Sequence, residues 1–181
     1  MRTKEERLAL PIVKIDLGCG LNRHEKELDE YVYIDGDKGD PREPIDIVCN
    51  WDNIPLPDKT ADVVHSSDTV EHLEIWRVTE VLKEWNRIMK IGCYFFGTTP
   101  NLDYVCRAYS SGRQNLDWTL RNLFGDRAGF HHAHYTVHTV ETLTKLLEDH
   151  GFGDIRFDAV GSKDPKEYWW LSFHCTKLRD I

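Results

Sequence analysis

The chain has 181 residues, of which 40% are hydrophobic, with six Trp, seven Tyr and seven Phe, and this content excludes a disordered protein. The formal net charge of -8 argues against nucleic acid or an anionic membrane as the main partner, because both require a basic surface. The five cysteines are odd in number and form no Cys-x-x-Cys pair, so we expect reduced thiols. Without a signal-peptide pattern or an apolar run of membrane-spanning length, the sequence predicts one cytoplasmic domain over residues 1–181.

Seven short apolar runs predict the strands of one sheet. They cover residues 12–18, 31–36, 46–50, 61–68, 93–99, 154–160 and 168–176. Near-continuous apolar strands that alternate with helices are typical of a parallel sheet covered on both faces. The last two runs are joined by the turn-rich segment GSKDPKE and predict an antiparallel hairpin. We therefore predict a Rossmann-like, doubly wound, mostly parallel seven-stranded α/β sheet with a C-terminal antiparallel hairpin.

Two helices have recognisable start and stop signals. One begins with Asp68 and Glu71 in capping-box spacing, carries apolar residues at three- and four-residue steps, and can end at Gly92. The other is predicted over 140–150, with Thr139 as its N-cap.

The connections that follow the first two strands are short. LNRHEKELDE leaves room for about two helical turns, and only nine residues separate Gly36 from Asp46. A parallel crossover usually needs a dozen residues or more, so the early crossover helices are expected to be shortened.

The segment KIDLGCG, residues 14–20, predicts a glycine-rich turn from strand to helix, which brings backbone N–H groups close to a ligand. A P-loop would need Gly-Lys-Ser/Thr, which is absent here. A dinucleotide fingerprint would need glycine at Arg23, and Asp16 would repel a pyrophosphate. An acid at the strand end instead favours S-adenosylmethionine, which carries an ammonium and a sulfonium. A tight turn without a ligand remains the alternative.

A ribose-binding carboxylate is expected at the end of the second strand. Asp35, in YVYIDGD, lies nineteen positions after Asp16 and can accept hydrogen bonds from both ribose hydroxyls. Its presence favours a nucleoside-bearing ligand over a ligand-free turn.

KIDLGCGLN followed by YVYIDGD resembles the first two motifs of class I S-adenosylmethionine-dependent methyltransferases. The likeness continues in order through residues 50–73, 80–101 and 132–155, and so covers most of the chain. The resemblance implies a cofactor site formed by Asp16, Gly18, Cys19, Gly20, Asp35, Gly36, Asn50, Trp51, Ser66 and Ser67.

The sequence departs from the family pattern at two of these motifs. Asn22 stands at the third glycine of the loop, a position where Asn tolerates a positive φ. Asn50 stands where the family usually has an acid that accepts a bond from the adenine amino group, and its amide oxygen can accept more weakly.

Residues 101–138 are expected to form an inserted cap over the acceptor, because ligands of open parallel sheets bind beyond the carboxyl ends of the strands. In this segment four arginines face three aspartates, a local positive patch in an acidic protein. Arg107 and Arg113 are the candidate ligands for an acceptor that bears phosphate or carboxylate. An ordinary solvated helix is the alternative.

The HHAH sequence at 131–134 raises the question of a metal site or a general base. Three imidazoles so close on one loop do not easily share a tetrahedral ion, and no cysteine or carboxylate pair is spaced to help, so no metal is predicted. His134 resembles a histidine that precedes the late helix in small relatives and is the candidate base. A loop-ordering role is its alternative. His72 is interpreted as structural, and Glu71 as shaping the methionine pocket.

Together these features predict methyl transfer from S-adenosylmethionine to oxygen or nitrogen of a small-molecule or glycan-like acceptor by in-line displacement. Two alternatives stay open. A nucleotide-dependent oxidoreductase is disfavoured by Asp16 and Arg23. An inactive cofactor- or partner-binding protein is kept open by Asn50 and the short crossovers.

Overall fold

A computed structural model describes residues 2–19, 30–36, 45–126, 132–158 and 168–181. The strands are β1 (Lys14–Leu17), β2 (Tyr31–Asp35), β3 (Ile47–Val48), β4 (Ala61–Ser67), β5 (Met89–Pro100), β6 (Phe152–Asp158) and β7 (Trp170–Lys177). The helices are α1 (Lys4–Leu8), α2 (Val78–Ile88), α3 (Leu102–Ser110), α4 (Leu116–Phe124) and α5 (Val140–Asp149), and a 3-10 turn covers Val70–His72.

The strands form one seven-stranded sheet in the order β3-β2-β1-β4-β5-β7-β6. The first five pair in parallel, whereas β7 runs antiparallel to both β5 and β6. The predicted fold class is thereby confirmed. The chain builds outward from β1 on one side and from β4 on the other, and the crevice at such a reversal is where open sheets bind ligands.

Burial explains why these segments form central and edge strands. In β2, Val32 and Ile34 join the main core, while Tyr31 and Tyr33 pack on the opposite face with Cys19. A strand covered on both faces reads as continuously apolar, as this one does. In β7 buried and half-buried residues alternate instead, because the pleat turns successive side chains to opposite faces.

The structure corrects the prediction of one long helix after β4. This segment instead forms the turn at Val70–His72 and α2, and no capping box forms at Asp68, whose φ is +51°. Gly92 does not end the helix but lies inside β5 with φ +84°, since the strand starts directly after α2. The later helix is confirmed as α5, with the Thr139 side chain accepting a bond from the Thr142 N–H.

Three further sequence predictions concern the cysteines, membrane-spanning helices and the early crossovers. None of the five cysteines forms a disulfide bond in the structure. No helix in the described ranges is long and apolar enough to span a membrane. The crossovers predicted to be shortened fall on residues 20–29 and 37–44, which lie outside the described residues.

A fully buried lysine closes the amino end of the sheet. Lys177 donates hydrogen bonds from Nζ to the carbonyl oxygens of Asn86 (2.8 Å) and Met89 (2.9 Å) and to Oδ1 of Asp180 (2.6 Å). Its charge thereby satisfies carbonyl groups where α2 ends and β5 begins, a favourable place for a cation.

Candidate active site

The glycine turn after β1 is held tightly against its neighbours. The Gly18 N–H donates to the Ile34 carbonyl at 2.8 Å, and its φ is +71°. A Cβ at this position would lie 2.3 Å from Cγ2 of Thr69, so only glycine fits without displacing the chain. The turn therefore brings its backbone close to the first residues after β4.

A relay of three polar side chains joins the carboxyl ends of β1 and β4. Asp16 is 3% exposed, and its Oδ1 lies 3.1 Å from Nδ1 of His65. Nε2 of His65 lies 2.9 Å from Oγ of Ser67. With Nδ1 donating to the carboxylate, Nε2 must accept the Ser67 proton, which leaves the Ser67 oxygen as an acceptor for a ligand.

Sequence analysis did not single out His65. The signal was present in the alternation of β4, which puts residues 65 and 67 on the same face of the sheet. The side chain that links them to Asp16 comes from the neighbouring strand and becomes visible only once the register is known.

Two buried polar atoms at this edge have no hydrogen-bond partner among the described residues. They are Oγ of Ser66, a residue that is fully buried, and Nε1 of Trp51. Buried polar groups are nearly always paired, so these two are candidates to contact a ligand. Gly36 lies beside Trp51, since a Cβ built on it would be 3.9 Å from Nε1.

The other expected cofactor residues have varied surroundings. Cys19 is buried against the tyrosines of β2, and Asn50 is exposed just after β3. Asp35 ends β2, one strand away from Asp16. Gly20 lies outside the described residues. The donor set therefore combines a strand-end carboxylate, an indole N–H and serine hydroxyls, which fits the polar groups of S-adenosylmethionine.

A second site lies beyond the carboxyl ends of β4 and β5, as an open pocket of about 270 Å³. It is lined by Asp68, Glu71, His72, Pro100, Arg121, Asn122, Gly125, Asp126, His132, His134 and Trp170. These residues come from the turn after β4, the ends of β5 and β7, and the segment around α4, so the pocket is assembled from distant parts of the sequence.

Glu71 is the most deeply buried charged residue of this pocket. It is 1% exposed, and Oε2 accepts a bond from Oγ1 of Thr99 at 3.0 Å. Burial and, to a lesser extent, the charge of Asp68 raise the pKa of Glu71 to about 8. The Glu71 carbonyl accepts from the N–H groups of Tyr135 and Thr136, and these bonds hold the histidine segment over the turn.

Two histidines face each other beside this carboxyl group. Nδ1 of His72 lies 2.9 Å from the Ala133 carbonyl, and Nδ1 of His134 lies 2.9 Å from the Asn122 carbonyl. Carbonyl oxygens only accept, so both Nδ1 atoms carry the proton and each Nε2 keeps a lone pair. Burial lowers the pKa of His72 to about 4 and also lowers the pKa of His134, so both rings are neutral at pH 7.

The arginines expected to bind the acceptor are not among the residues that line the pocket within the described ranges. Arg107 is half-buried on α3, while Arg113 is exposed, donates to Ser111 and lies 5.6 Å from the ring centre of Tyr104. The arginine that lines the pocket is Arg121, which is paired with Asp117.

The pocket is therefore acidic where the sequence predicted a positive patch. Three carboxylates, Asp68, Glu71 and Asp126, face one guanidinium in its lining. The composition of residues 101–138 does not predict this acidic lining, because two of the three carboxylates come from the turn after β4.

Comparison with known proteins identifies the family and the fold of the chain. A family profile described as a methyltransferase domain matches residues 4–156. Among curated proteins, no sequence matches the chain significantly. The fold is similar to a SAM-dependent methyltransferase from Archaeoglobus fulgidus, at 20% identity, TM-score 0.62, and coverage of 91% of this chain and 85% of that one.

Two further solved structures share the fold. A SAM-dependent methyltransferase from Methanosarcina mazei is 18% identical, with TM-score 0.60, covering 91% of this chain and 92% of that chain. A possible histamine N-methyltransferase from Thermotoga maritima is 17% identical, with TM-score 0.60, covering 96% and 88%. At such identities these structures establish the fold, and the acceptor has to be inferred from this chain's own pocket.

Proposed function

The chain belongs to the methyltransferase domain family, with S-adenosylmethionine as cofactor, and on this premise we propose that it methylates a hydroxyl group of a small-molecule or glycan-like acceptor. The comparisons give no support to the alternative of an inactive cofactor-binding protein. S-adenosylmethionine, when bound, supplies an electrophilic methyl group on a sulfonium.

The observation that carries this proposal is the adjacency of the two sites. Ser67 belongs to the relay with Asp16, and the next residue, Asp68, lines the acidic pocket. A cofactor whose methionine end lies against Ser66 and Ser67 would therefore direct its methyl group towards that pocket. Holding nucleophile and methyl in line can lower the barrier by about 7–11 kcal/mol in favourable cases.

We assign the cofactor contacts to the residues at the strand ends. Asp35 binds the ribose hydroxyls, and the backbone at Gly18 and Gly36 leaves room for the cofactor. Trp51 and Asn50 contact the adenine, and the serine hydroxyls contact the methionine chain. The unpartnered atoms of Trp51 and Ser66 support this assignment, since each would gain a hydrogen bond on binding.

His134 is proposed to activate the acceptor through Nε2. The ring is held by the Asn122 carbonyl, and its lone pair is positioned to accept a hydroxyl proton as the oxygen attacks the methyl carbon. The acceptor oxygen gains the methyl group, the carbon–sulfur bond breaks, and the proton stays on the imidazole until solvent removes it.

An anionic group on the acceptor would be bound at the cap. Arg121 lines the pocket, and the earlier candidates Arg107 and Arg113 lie on and after α3 in the same segment. We propose that this cluster, rather than the acidic floor around Glu71, contacts a phosphate or carboxylate. Arg121→Gln should then raise KM for an anionic acceptor and leave KM for S-adenosylmethionine unchanged.

The cofactor site is tested by calorimetry in buffer that contains EDTA. The wild type should bind S-adenosylhomocysteine, and Asp35→Ala should lower the affinity by about 100-fold, since two charge-assisted hydrogen bonds are lost. Asp149→Ala, which removes an exposed carboxylate on α5, is the matched control and should bind normally. A folded wild-type protein that binds no S-adenosylhomocysteine would refute the proposal.

A further inference from the structure

The acidic pocket brings together three side chains with the chemistry of metal ligands. One ligand atom from each of Glu71, His72 and His134 lies within 4.8 Å of the other two. Ligands at about 2.0–2.2 Å from a zinc ion stand about 3.3–3.6 Å apart in a tetrahedron. Side-chain rotations that draw the three groups together by about 1 Å would therefore complete the geometry.

The groups around these residues already orient them for a metal. Each histidine donates its Nδ1 proton to a backbone carbonyl, which fixes the ring and leaves the Nε2 lone pair for a metal. The carboxyl group is likewise held through Oε2 by the Thr99 hydroxyl. This arrangement of supporting hydrogen bonds is common around metal-ligating histidines and carboxylates.

The charge of the pocket favours a cation as well. Glu71 is 1% exposed. No cation among the described residues affects its pKa, whereas the negative charge of Asp68 raises that pKa. Ionisation of a buried carboxyl group without a counter-ion is unfavourable. A bound divalent ion would supply that counter-ion, would displace the proton of Glu71 and would also allow an electron-rich oxygen to enter an acidic pocket.

We propose that Glu71, His72 and His134 bind one divalent transition-metal ion, with open coordination positions that face the acceptor. Two imidazoles and one carboxylate are a donor set found in catalytic zinc sites and in non-haem iron sites. Asp68 lines the same pocket and adds to its negative charge. The HHAH segment alone predicts no metal site. Only His134 belongs to that segment, and the other two ligands come from the turn after β4.

The use of this ion in methyl transfer rests on the proposed function, although its binding does not. An acceptor hydroxyl that coordinates the ion would have a lowered pKa. The ion would occupy the Nε2 lone pair of His134 and would therefore replace the general-base role proposed for that residue. In the metal-bound protein the hydroxyl proton would pass to the Asp68 carboxylate instead. Oxygen would still form the bond to the methyl carbon as the carbon–sulfur bond breaks.

Metal binding is tested on tag-free protein that has been stripped with EDTA and dialysed. Titration with Co²⁺, followed by visible absorption, and titration with Zn²⁺, followed by calorimetry, should each give one site. Three conservative variants remove single ligands: Glu71→Gln keeps the Thr99 bond, while His72→Asn and His134→Asn can keep the donor to the carbonyl. Each should weaken metal binding by at least about 100-fold.

His174→Asn is the matched control, because His174 lies on β7, does not line the pocket and is hydrogen-bonded to Tyr94. Its metal affinity should equal that of the wild type. Absence of Co²⁺ and Zn²⁺ binding by the wild type would overturn the inference, as would a loss of affinity in His174→Asn as large as that in His134→Asn.

Binding of S-adenosylhomocysteine in EDTA separates the two proposals and checks that the variants fold. If the protein binds S-adenosylhomocysteine normally but binds neither Co²⁺ nor Zn²⁺, the metal site is contradicted and the proposed function is not. Metal binding with the expected variant pattern, but without cofactor binding, contradicts the proposed function and supports the metal site.

Discussion

The two ends of the sheet each bury an ionisable side chain, but these two side chains have very different hydrogen-bond and charge partners. At the amino end Lys177 is fully buried and donates three hydrogen bonds, two of them to the carbonyl groups of Asn86 and Met89. At the carboxyl end Glu71 is equally buried, but beside it lie another carboxylate and two histidines that are neutral at pH 7.

This difference indicates which end of the sheet has polar groups available to bind a ligand. A buried charge that is fully paired contributes to structure, because removing its partners exposes unsatisfied groups. A buried charge without an opposite charge lowers stability until a ligand arrives. Among the described residues, the carboxyl end also holds the unpartnered atoms of Ser66 and Trp51, although Nε of Arg7 and Nε1 of Trp85 lack a partner elsewhere in the fold. From the contrast between Lys177 and Glu71 we expect stability from one end of the sheet and binding from the other.

The largest effect is expected at the amino end, from Lys177→Met. The substitution keeps most of the side-chain length but removes the ammonium donor to the Asn86 and Met89 carbonyls and to Asp180, so the free energy of unfolding should fall by about 3 kcal/mol. Urea unfolding measures this change. Lys145→Met, which removes an exposed helix pair, should change stability little. If Lys177→Met also weakened cofactor binding at temperatures where it is folded, the division between the two ends would be wrong.

Acid should weaken the carboxyl end through His138. This residue is 6% exposed, and burial lowers its pKa to about 4, below the value near 6.5 expected in the unfolded chain. Between these values only the unfolded state gains the proton, so stability is lost as pH falls from about 6.5 towards 4. From pH 7 to pH 5 the loss from this group should be about 2 kcal/mol.

The comparison of urea unfolding at pH 7 and pH 5 isolates that contribution. His138→Gln should lose about 2 kcal/mol less than the wild type over this interval. His132→Gln, an exposed histidine changed in the same way, should keep the full wild-type dependence. Equal pH dependence in wild type and His138→Gln would show that this ring is not buried in its neutral form.

A smaller effect of opposite sign is expected from Glu71→Gln. Burial raises the pKa of Glu71 to about 8, so at pH 7 folding must protonate this carboxyl, which is ionised in the unfolded chain. The amide avoids that cost and keeps an oxygen for the Thr99 hydroxyl, so the metal-free protein should become more stable by about 1 kcal/mol. Thermal unfolding in EDTA measures the gain. Glu80→Gln, on the exposed face of α2, should leave the melting temperature near the wild-type value. Destabilisation by Glu71→Gln would mean that this carboxylate has a structural partner.

The smallest of these effects concerns the relay through His65. Replacement by Asn breaks the link between Asp16 and Ser67 and frees the Ser67 hydroxyl to rotate, so affinity for S-adenosylhomocysteine should fall about threefold, or about 0.7 kcal/mol. Calorimetry measures the change. His174→Asn alters a histidine of β7 that is bonded to Tyr94 and should bind the cofactor as the wild type does. Unchanged affinity in His65→Asn would remove the relay from the binding site.

The two halves of the candidate site also differ in how far the sequence predicts them. The cofactor half follows from short-range pattern, since Asp16, Gly18 and Asp35 mark the ends of consecutive parallel strands and such ends must meet at one edge. The mostly parallel sheet, the C-terminal hairpin and α5 follow from patterns of the same kind.

The acceptor half depends on contacts between distant segments, and the sequence predicts it poorly. His134 reaches Glu71 because the backbone of residues 135 and 136 bonds to the turn after β4, across more than sixty positions. No periodic pattern in the sequence predicts that contact. The same turn was predicted as part of one long helix, because its buried residues Val70 and Leu73 happen to continue the helical spacing of α2.

A crystal structure of the complex with S-adenosylhomocysteine tests the central claim most directly. The account predicts that both ribose hydroxyls lie within about 2.6–3.2 Å of the Asp35 carboxylate. It also predicts that the sulfur lies beside Ser67 and faces the pocket of Glu71, His72 and His134. A cofactor bound away from the carboxyl ends of β1 and β2, or with its sulfur turned away from that pocket, would contradict the account.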